Sequence, residues 1–426
     1  MEELNLFKPL TRDQRQLLSK KAWFESKGRG TIVASTGFGK TRVALNCLSD
    51  INAKYPGKRF LIVVPTEALK NQWEGLLEER NLLFNSEVQI INTVIKHEWK
   101  CDVLVIDEIH RTAASSFSQV FNKVNYKYIL GLTATFERLD EKHKLIEEYC
   151  PIIDTISSEE AKYNGWISDY KEYIVLIEVD DLETYNEYNR SFYEHFEFFN
   201  YDFGLIMSFT GPKGYINRLA YRDRIVRKNA TDAEKSDALR SIIIHTMGFM
   251  RALQARKKFV NNHPKKIEIA EKIIEAREDK KIITFSNNVN MAESISYGDV
   301  YTGRTSKKKG RIMIEEFNEK DSGVLNTCQK ANEGLDVRGL SVGIHLGIDS
   351  SKTKAIQKRG RVVRFEAGKI AENFILIIRG TVEEQWARNA YGTKVPMINE
   401  DELEKILNGE EIEISHKSLT NLMFRI

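Results

Sequence analysis

The sequence predicts an α/β protein with two parallel-sheet domains facing a cleft and a mainly helical segment between them. Three observations carry this. Short, wholly apolar strand candidates alternate with helical patterns in the first part of the chain, at Thr31–Ala34, Phe60–Val64, Val88–Ile91, Val103–Ile106 and Tyr128–Leu132. The alternation returns after residue 266, at Lys281–Ser286, Val300–Thr302, Val324–Asn326, Val342–Leu346 and Phe374–Ile378. Strands buried on both faces and separated by helices indicate parallel sheets. Between the two sets the strand pattern fades after Ile174–Val179, and aromatic residues recur at helical spacing.

These readings divide the chain into residues 1–155, 156–265, 266–396 and a polar tail at 397–426, helical at Glu402–Asn408. The chain has 426 residues, 42% hydrophobic and 29% charged, which is enough to build two cores and is the balance of a globular chain. No apolar run reaches the ~18 residues of a membrane span. The N-terminus lacks a basic stretch followed by an apolar one, so no signal peptide and a cytoplasmic location are expected. The four cysteines, at 47, 101, 150 and 328, have no partner at ligand spacing, so neither zinc nor disulfides are expected.

The first strand runs into Ala34-Ser35-Thr36-Gly37-Phe38-Gly39-Lys40-Thr41, and a helical pattern, Arg42–Ser49, follows. Strand, glycine-rich loop and helix in that order form a phosphate cradle. Gly37 and Gly39 let several backbone N–H groups face one anion, with a helix N-terminus behind them. Lys40 is expected to reach the β- and γ-phosphates of ATP, and the Thr41 hydroxyl to hold Mg²⁺. The strict pattern opens with glycine where this chain has Ala34. The strand Val103–Ile106 ends in Asp107-Glu108-Ile109-His110, and ligands of open α/β sheets bind at such strand ends. Asp107 suits Mg²⁺, and Glu108 suits an attacking water.

Between the domains, Tyr185, Tyr188, Phe192, Phe196 and Phe199 fall on one helical stripe. A stripe like this is ordinarily a core face. The alternative is a wedge on which bases stack, worth ~1–3 kcal/mol per base whatever the sequence. The net charge of +3 hides an asymmetry. Residues 137–202 carry 18 acidic against 6 basic side chains, and residues 211–258 carry 12 basic against 4 acidic. The basic stretch, including Arg222, Arg224 and Arg227, is a candidate nucleic-acid surface.

Seven ordered elements resemble those of superfamily 2 helicases and translocases. They are Gln14, the phosphate loop, Val64-Pro65-Thr66, Asp107-Glu-Ile-His110, Thr133-Ala134-Thr135, Glu333-Gly-Leu-Asp336 and Gln357-Lys-Arg-Gly-Arg361-Val-Val-Arg364. The resemblance implies two RecA-like domains that use ATP and Mg²⁺ to move on nucleic acid. It implies that Gln14, helped by Arg12, reads the adenine. Ser35, Thr36 and Phe38 complete the phosphate loop. Thr133 and Thr135 couple the nucleotide to domain motion, and Asp336 and Gln357 lie at the nucleotide. Arg361 and Arg364 reach the γ-phosphate from the second domain. Thr66, Ser286 and Thr327 contact the strand. The Asp-Glu-Ile-His spelling departs from that of the DEAD-box RNA helicases.

The segments 131–140 and 157–167 resemble those of branch-migration and repair helicases, phage-encoded members included. This favours branched DNA as partner, in replication, recombination or repair. An RNA track and an ATP-gated subunit of a larger assembly stay open. Only 13 residues precede Gln14, so no N-terminal wedge domain is expected and junction work falls to residues 156–265.

Overall fold

The structure is a computed structural model. It describes residues 10–113, 117–134, 143–328, 337–348, 362, 370–392 and 395–412. The first unit opens with helix α1 (Arg12–Glu25) and strand β1 (Arg29–Ala34), followed by α2 (Lys40–Lys54), β2 (Phe60–Val64) and α3 (Glu67–Glu79). It continues through β3 (Ser86–Ile90), α4 (Ile91–Val94), β4 (Trp99–Lys100), β5 (Val103–Asp107), α5 (Val120–Lys123), β6 (Val124–Asn125) and β7 (Tyr128–Thr133). It closes with α6 (His143–Tyr149), β8 (Ile152–Ile156) and α7 (Ser158–Tyr163). Six strands form a parallel sheet in the order β3-β2-β5-β7-β1-β8. β2 is buried along its whole length, and in β5 only Asp107 at the end is less than buried. A sheet with helices on both faces requires this.

The order places β7 between β1 and β5. Thr133 pairs with Val33, and Leu132 with Asp107. The ends of the phosphate-loop strand and the carboxylate strand are thereby separated by one strand, whose last residue is Thr133.

The second unit opens with β9 (Asp169–Ile177). Next come the helices α8 (Leu182–Glu197), α9 (Phe203–Ser208), α10 (Gly214–Ile225) and α11 (Asp232–Asn262). After α12 (Lys265–Glu275) the chain forms β10 (Lys281–Ser286), α13 (Val289–Glu293), β11 (Asp299–Tyr301), α14 (Lys307–Glu319), β12 (Gly323–Cys328) and β13 (Val342–His345). Then come β14 (Ile370–Ile378), a helix at Val382–Tyr391, β15 (Met397–Ile398) and a helix at Glu400–Leu407. The seven-stranded order is β11-β12-β10-β13-β14-β9-β15, all parallel.

Two elements depart from the expected division. β9 lies within 156–265, yet it pairs with β14 over nine residues, from Asp169 against Ile370 to Ile177 against Ile378. Its buried centre, Glu172–Val175, is covered only because β14 and β15 flank it, and they arrive about two hundred residues later. β15, in the expected tail, also pairs with β9. The helical part therefore spans Leu182 to Asn262.

That part has its own core of Phe192, Phe199, Ile206, Phe209, Ile242, Phe249 and Ala252. Phe192 and Phe249 stand 4.7 Å apart between α8 and α11. The aromatic stripe is thus mainly a core face. Tyr193, Tyr201 and Phe203, off the stripe, are about half exposed at 49%, 54% and 50%. Arg256, from the basic stretch, is buried instead of facing solvent. Its guanidinium lies 4.1 Å from the Phe192 ring centroid and donates to the Tyr185 hydroxyl at 3.4 Å. That hydroxyl accepts from the Val382 N–H at 2.9 Å, tying α8 to the second sheet's last helices. At the C-terminus of α11, the Asn287 amide donates to Asn261 Oδ1 at 2.6 Å, and the Asn288 amide bonds Asn261 and Asn262. The long helix lands beside Ser286, at the C-terminal edge of the second sheet.

One ion pair is sealed in this unit. Lys266 Nζ donates to both oxygens of Glu383, at 2.7 and 2.8 Å, and neither side chain reaches solvent. The Ile378 N–H adds a third donor to Glu383 at 3.0 Å. Burial pushes the lysine down and the carboxyl up, and their mutual attraction opposes both shifts. Removing one partner strands the other charge, so Glu383→Ala is expected to cost about 3–5 kcal/mol in urea unfolding. The exposed Arg311–Glu315 pair, screened by solvent, should cost far less when broken. Similar small losses at both pairs would contradict this account.

Candidate nucleotide-binding site

The loop after β1 is shaped by two glycines in the left-handed region, Gly37 at φ +90° and Gly39 at φ +96°. Gly39 is the N-cap of α2. The backbone torsion favours glycine there, and a Cβ would press on Gln16 Nε2 at 2.6 Å. Gln16 is buried in α1, and its amide donates to the Phe38 carbonyl at 2.7 Å. The Phe38 ring is wholly buried, against Trp166 at 5.7 Å between centroids. Lys40 folds over the loop, donating to the Ala34 carbonyl at 2.7 Å. The hydroxyl oxygens of Ser35 and Thr36 are buried without a hydrogen-bond partner. Thr41 follows Lys40 in the first turn of α2.

Asp107 ends β5. Its carboxylate accepts from Trp73 Nε1 at 2.9 Å and from the Glu108 N–H at 3.0 Å. Glu108 has φ +53°, a left-handed bend in a non-glycine residue and a mark of a functional turn. Its carboxylate stands 3.2 Å from His110 Nδ1, which also lies 2.9 Å from the Thr133 hydroxyl. One imidazole nitrogen thus joins the turn after β5 to the end of β7.

Electrostatics set these groups apart. Burial, then the neighbouring Glu108, pushes Asp107 up to about 6. Burial works against ionisation of Glu108 too, but His110, Lys40 and Arg111 outweigh it and hold the carboxyl below its ordinary value. Burial lowers Lys40, and both carboxylates push it back up. Two adjacent half-buried carboxylates opposite a single ammonium favour a further cation. Mg²⁺ fits this donor set of hard oxygens, with Asp107 and Thr41 as the residues to hold it. Backbone N–H groups, Lys40 and the unpartnered hydroxyls suit phosphate oxygens.

On the expected adenine side, Gln14 caps α1. Its Oε1 accepts from the Thr11 N–H at 2.9 Å, and its own N–H donates to the Thr11 hydroxyl at 3.2 Å. Arg12 is half-buried beside it. Arg15 grips Asp154 of β8 with both guanidinium nitrogens, at 2.8 and 2.6 Å, fixing α1 to the sheet edge. The roles of Gln16, Trp73, Arg15 and Trp166 have no counterpart among the sequence expectations. Trp166 stands in the 157–167 segment that carries the resemblance, without an assigned role; the other three lie in no recognisable motif, and only the helical spacing of α1 and α3 could have pointed inward at two of them.

The expected strand-contacting residues differ. Ser286 is buried with its hydroxyl unpartnered. Thr327 is buried and its hydroxyl donates to the Thr284 carbonyl at 2.6 Å, a bond across the sheet that leaves it facing inward. Thr66 is the N-cap of α3, accepting from Leu69 at 3.4 Å. Arg222 pairs with Asp223, Arg224 is exposed with its guanidinium 5.0 Å from the Tyr221 ring, and Arg227 is exposed. Thr135, Asp336, Gln357, Arg361 and Arg364 lie outside the described residues.

Comparison with known proteins agrees with this layout. Residues 7–138 match the family described as type III restriction enzyme, res subunit, and residues 265–366 match the helicase conserved C-terminal domain. A DNA 3′-5′ translocase, XPB2 of Sulfurisphaera tokodaii, is 28% identical over 411 residues, covering 89% of this chain and 85% of the relative. A putative ATP-dependent RNA helicase of Methanocaldococcus jannaschii is 23% identical, covering 90% of this chain but 60% of its own length. The fold resembles that of S. cerevisiae Dbp5 solved with RNA and ADP BeF3. Here the TM-score is 0.57 at 13% identity, over 95% of this chain and 94% of that one.

Two outcomes follow from the geometry. Gly39→Ala adds strain of ~1–3 kcal/mol at a positive φ and presses on Gln16, so nucleotide affinity measured by titration should fall by about tenfold or more. Unaltered affinity would show that the loop does not need this conformation. The second concerns pH. Burial alone would raise the Asp154 carboxyl, but hydrogen bonds from Arg15 and Ser19 hold it below its ordinary value. A depressed carboxyl stabilises the fold above its unfolded value, about 4, and that contribution is lost as pH falls through the lower folded value. The gap in unfolding free energy between the native chain and Asp154→Asn should be full near pH 7 and shrink below about pH 4. A gap that is flat with pH would rule this out.

Proposed function

Given that the chain is a superfamily 2 helicase, an ATP-dependent enzyme acting on nucleic acid, we propose that it is a DNA translocase that remodels forked or branched DNA. The observation that carries the ATP-driven part is the coupled group of Lys40, Asp107 and Glu108 at the ends of strands set one strand apart. Lys40 and the loop N–H groups hold the β- and γ-phosphates. Thr41 and Asp107 hold Mg²⁺, which when bound neutralises charge on the transferred phosphoryl group. Glu108, kept ionised by His110, orients the attacking water and accepts its proton. The His110–Thr133 contact gives the state of that carboxylate a path to β7 and onward to Thr135. Arg361 and Arg364 supply positive charge to the phosphoryl oxygens from the second unit, as the family resemblance implies.

DNA as the track is supported by the XPB2 relative, a DNA translocase of which the chain spans 85%. Branched DNA is supported by the sequence likeness of residues 131–140 and 157–167 to branch-migration and repair helicases. The helical insertion suits such work. It carries exposed Tyr193, Tyr201 and Phe203 and rises beside Ser286. Replication, recombination or repair inside a cell, of a phage or its host, is the setting this reading implies. Among the described residues no helix is long and apolar enough to cross a membrane. A second reading, an RNA track, rests on the M. jannaschii relative named as an RNA helicase.

The test is steady-state ATP hydrolysis alone and with duplex DNA, a synthetic four-way junction, a fork and duplex RNA. Junction or fork DNA is expected to stimulate most, and Lys40→Ala to abolish turnover. Stronger stimulation by RNA overturns the DNA assignment, and none by any nucleic acid points to a partner-dependent subunit. Replacing Arg222, Arg224 and Arg227 together by Gln should flatten the salt dependence of DNA binding, by about one slope unit for each phosphate that these arginines neutralise. An unchanged slope removes these arginines from the interface.

A further inference from the structure

The chain leaves the first sheet at β8, forms α7, turns at Gly165 (φ +65°) and enters the second sheet at Asp169. Trp166 lies on this crossing and is 3% exposed. Its indole edge meets the Phe38 ring at 5.7 Å and 61°. Its Nε1 donates to the Leu10 carbonyl at 2.7 Å, just before the cap that contains Gln14. One side chain therefore touches the phosphate loop and the approach to the expected adenine reader.

The crossing is also braced. The Trp166 N–H donates to the Ala161 carbonyl at 2.8 Å, closing α7. Lys162 of α7 pairs with Asp169 at 2.7 Å and donates to the Tyr170 carbonyl at 3.1 Å, gripping the start of β9. Arg15, which fixes α1, stands 3.5 Å from Glu160 of α7. From Phe38 to the first residues of β9 there is continuous packed or ion-paired contact.

We propose that Trp166 is a positioning residue through which the state of the phosphate loop is passed to the strand that opens the second sheet. This rests on the ATP-driven reading above. The Phe38 ring is wholly buried with the indole against it, and its carbonyl is held by Gln16, so a shift of the ring presses on the indole. When the loop closes on a triphosphate, the indole shifts with it, and β9 follows through Lys162. This route runs through the chain itself and needs no residue of the second unit to touch the nucleotide.

The test is amide hydrogen exchange of the full chain, with and without Mg²⁺ and ADP–beryllium fluoride, in the native protein, Trp166→Leu and Trp166→Phe. The native protein should gain protection at the phosphate loop and at residues 165–170. Trp166→Leu should keep the first and lose the second. Trp166→Phe keeps an aromatic edge but loses the donor to Leu10. It should keep both protections and raise the ATP KM about fivefold, the effect of one hydrogen bond, with kcat retained. Protection at 165–170 that is absent in the native protein, or that persists in Trp166→Leu, overturns the proposal. If Trp166→Leu fails to fold, Trp166→Met takes its place, and persistence of protection at 165–170 in that variant does the same. No native protection at the phosphate loop would count against nucleotide binding itself, a different failure.

Discussion

The first unit is arranged around one electrostatic problem: two carboxylates and one ammonium share a half-buried site at the C-terminal end of the sheet. Such groups are unfavourable to bury alone and strongly coupled when buried together. The sheet order solves the geometry by keeping β1 and β5 one strand apart, so that Lys40 answers both Asp107 and Glu108 across β7. The remaining supports follow from that. Trp73 fixes one carboxylate oxygen, His110 steadies the second carboxylate, and Gln16 holds the loop that presents the lysine. Two carboxylates against one ammonium leave a negative charge unanswered, which suits a bound cation.

Much of this was legible in the sequence because it is local. A phosphate loop is a run of eight residues whose torsions are set by its own glycines. An apolar strand ending in Asp-Glu states its direction and its terminus together. The candidate strands of both sheets fall within observed strands or within one residue of them, since a strand buried on both faces reads as an unbroken apolar run.

What could not be read depends on partners distant in the chain. β9 is a sheet strand because β14, about two hundred residues later, covers it. Arg256 resembles its basic neighbours in sequence and is distinguished only by the aromatic ring it faces across two helices. The Thr327 position matched a motif, while its hydroxyl direction was set by β10. Gln16 stands two places from a recognised glutamine and carries no motif of its own, yet it is the one that touches the loop. In each case composition gave the residue type and tertiary packing gave the task.

The foot of α11 has a mechanical meaning. A helix of 31 residues is a stiff rod roughly 46 Å long at 1.5 Å per residue. It stands on the amides of Asn287 and Asn288 at one end, and α8, itself tied to the second sheet through Tyr185, packs along it. Tilting such a rod by about 10° at its base sweeps its free end through roughly 8 Å, more than two base-pair steps of a duplex. A helix of this length is a lever: a small rearrangement at the edge of the second sheet would reach its far end as a displacement on the scale of nucleic acid.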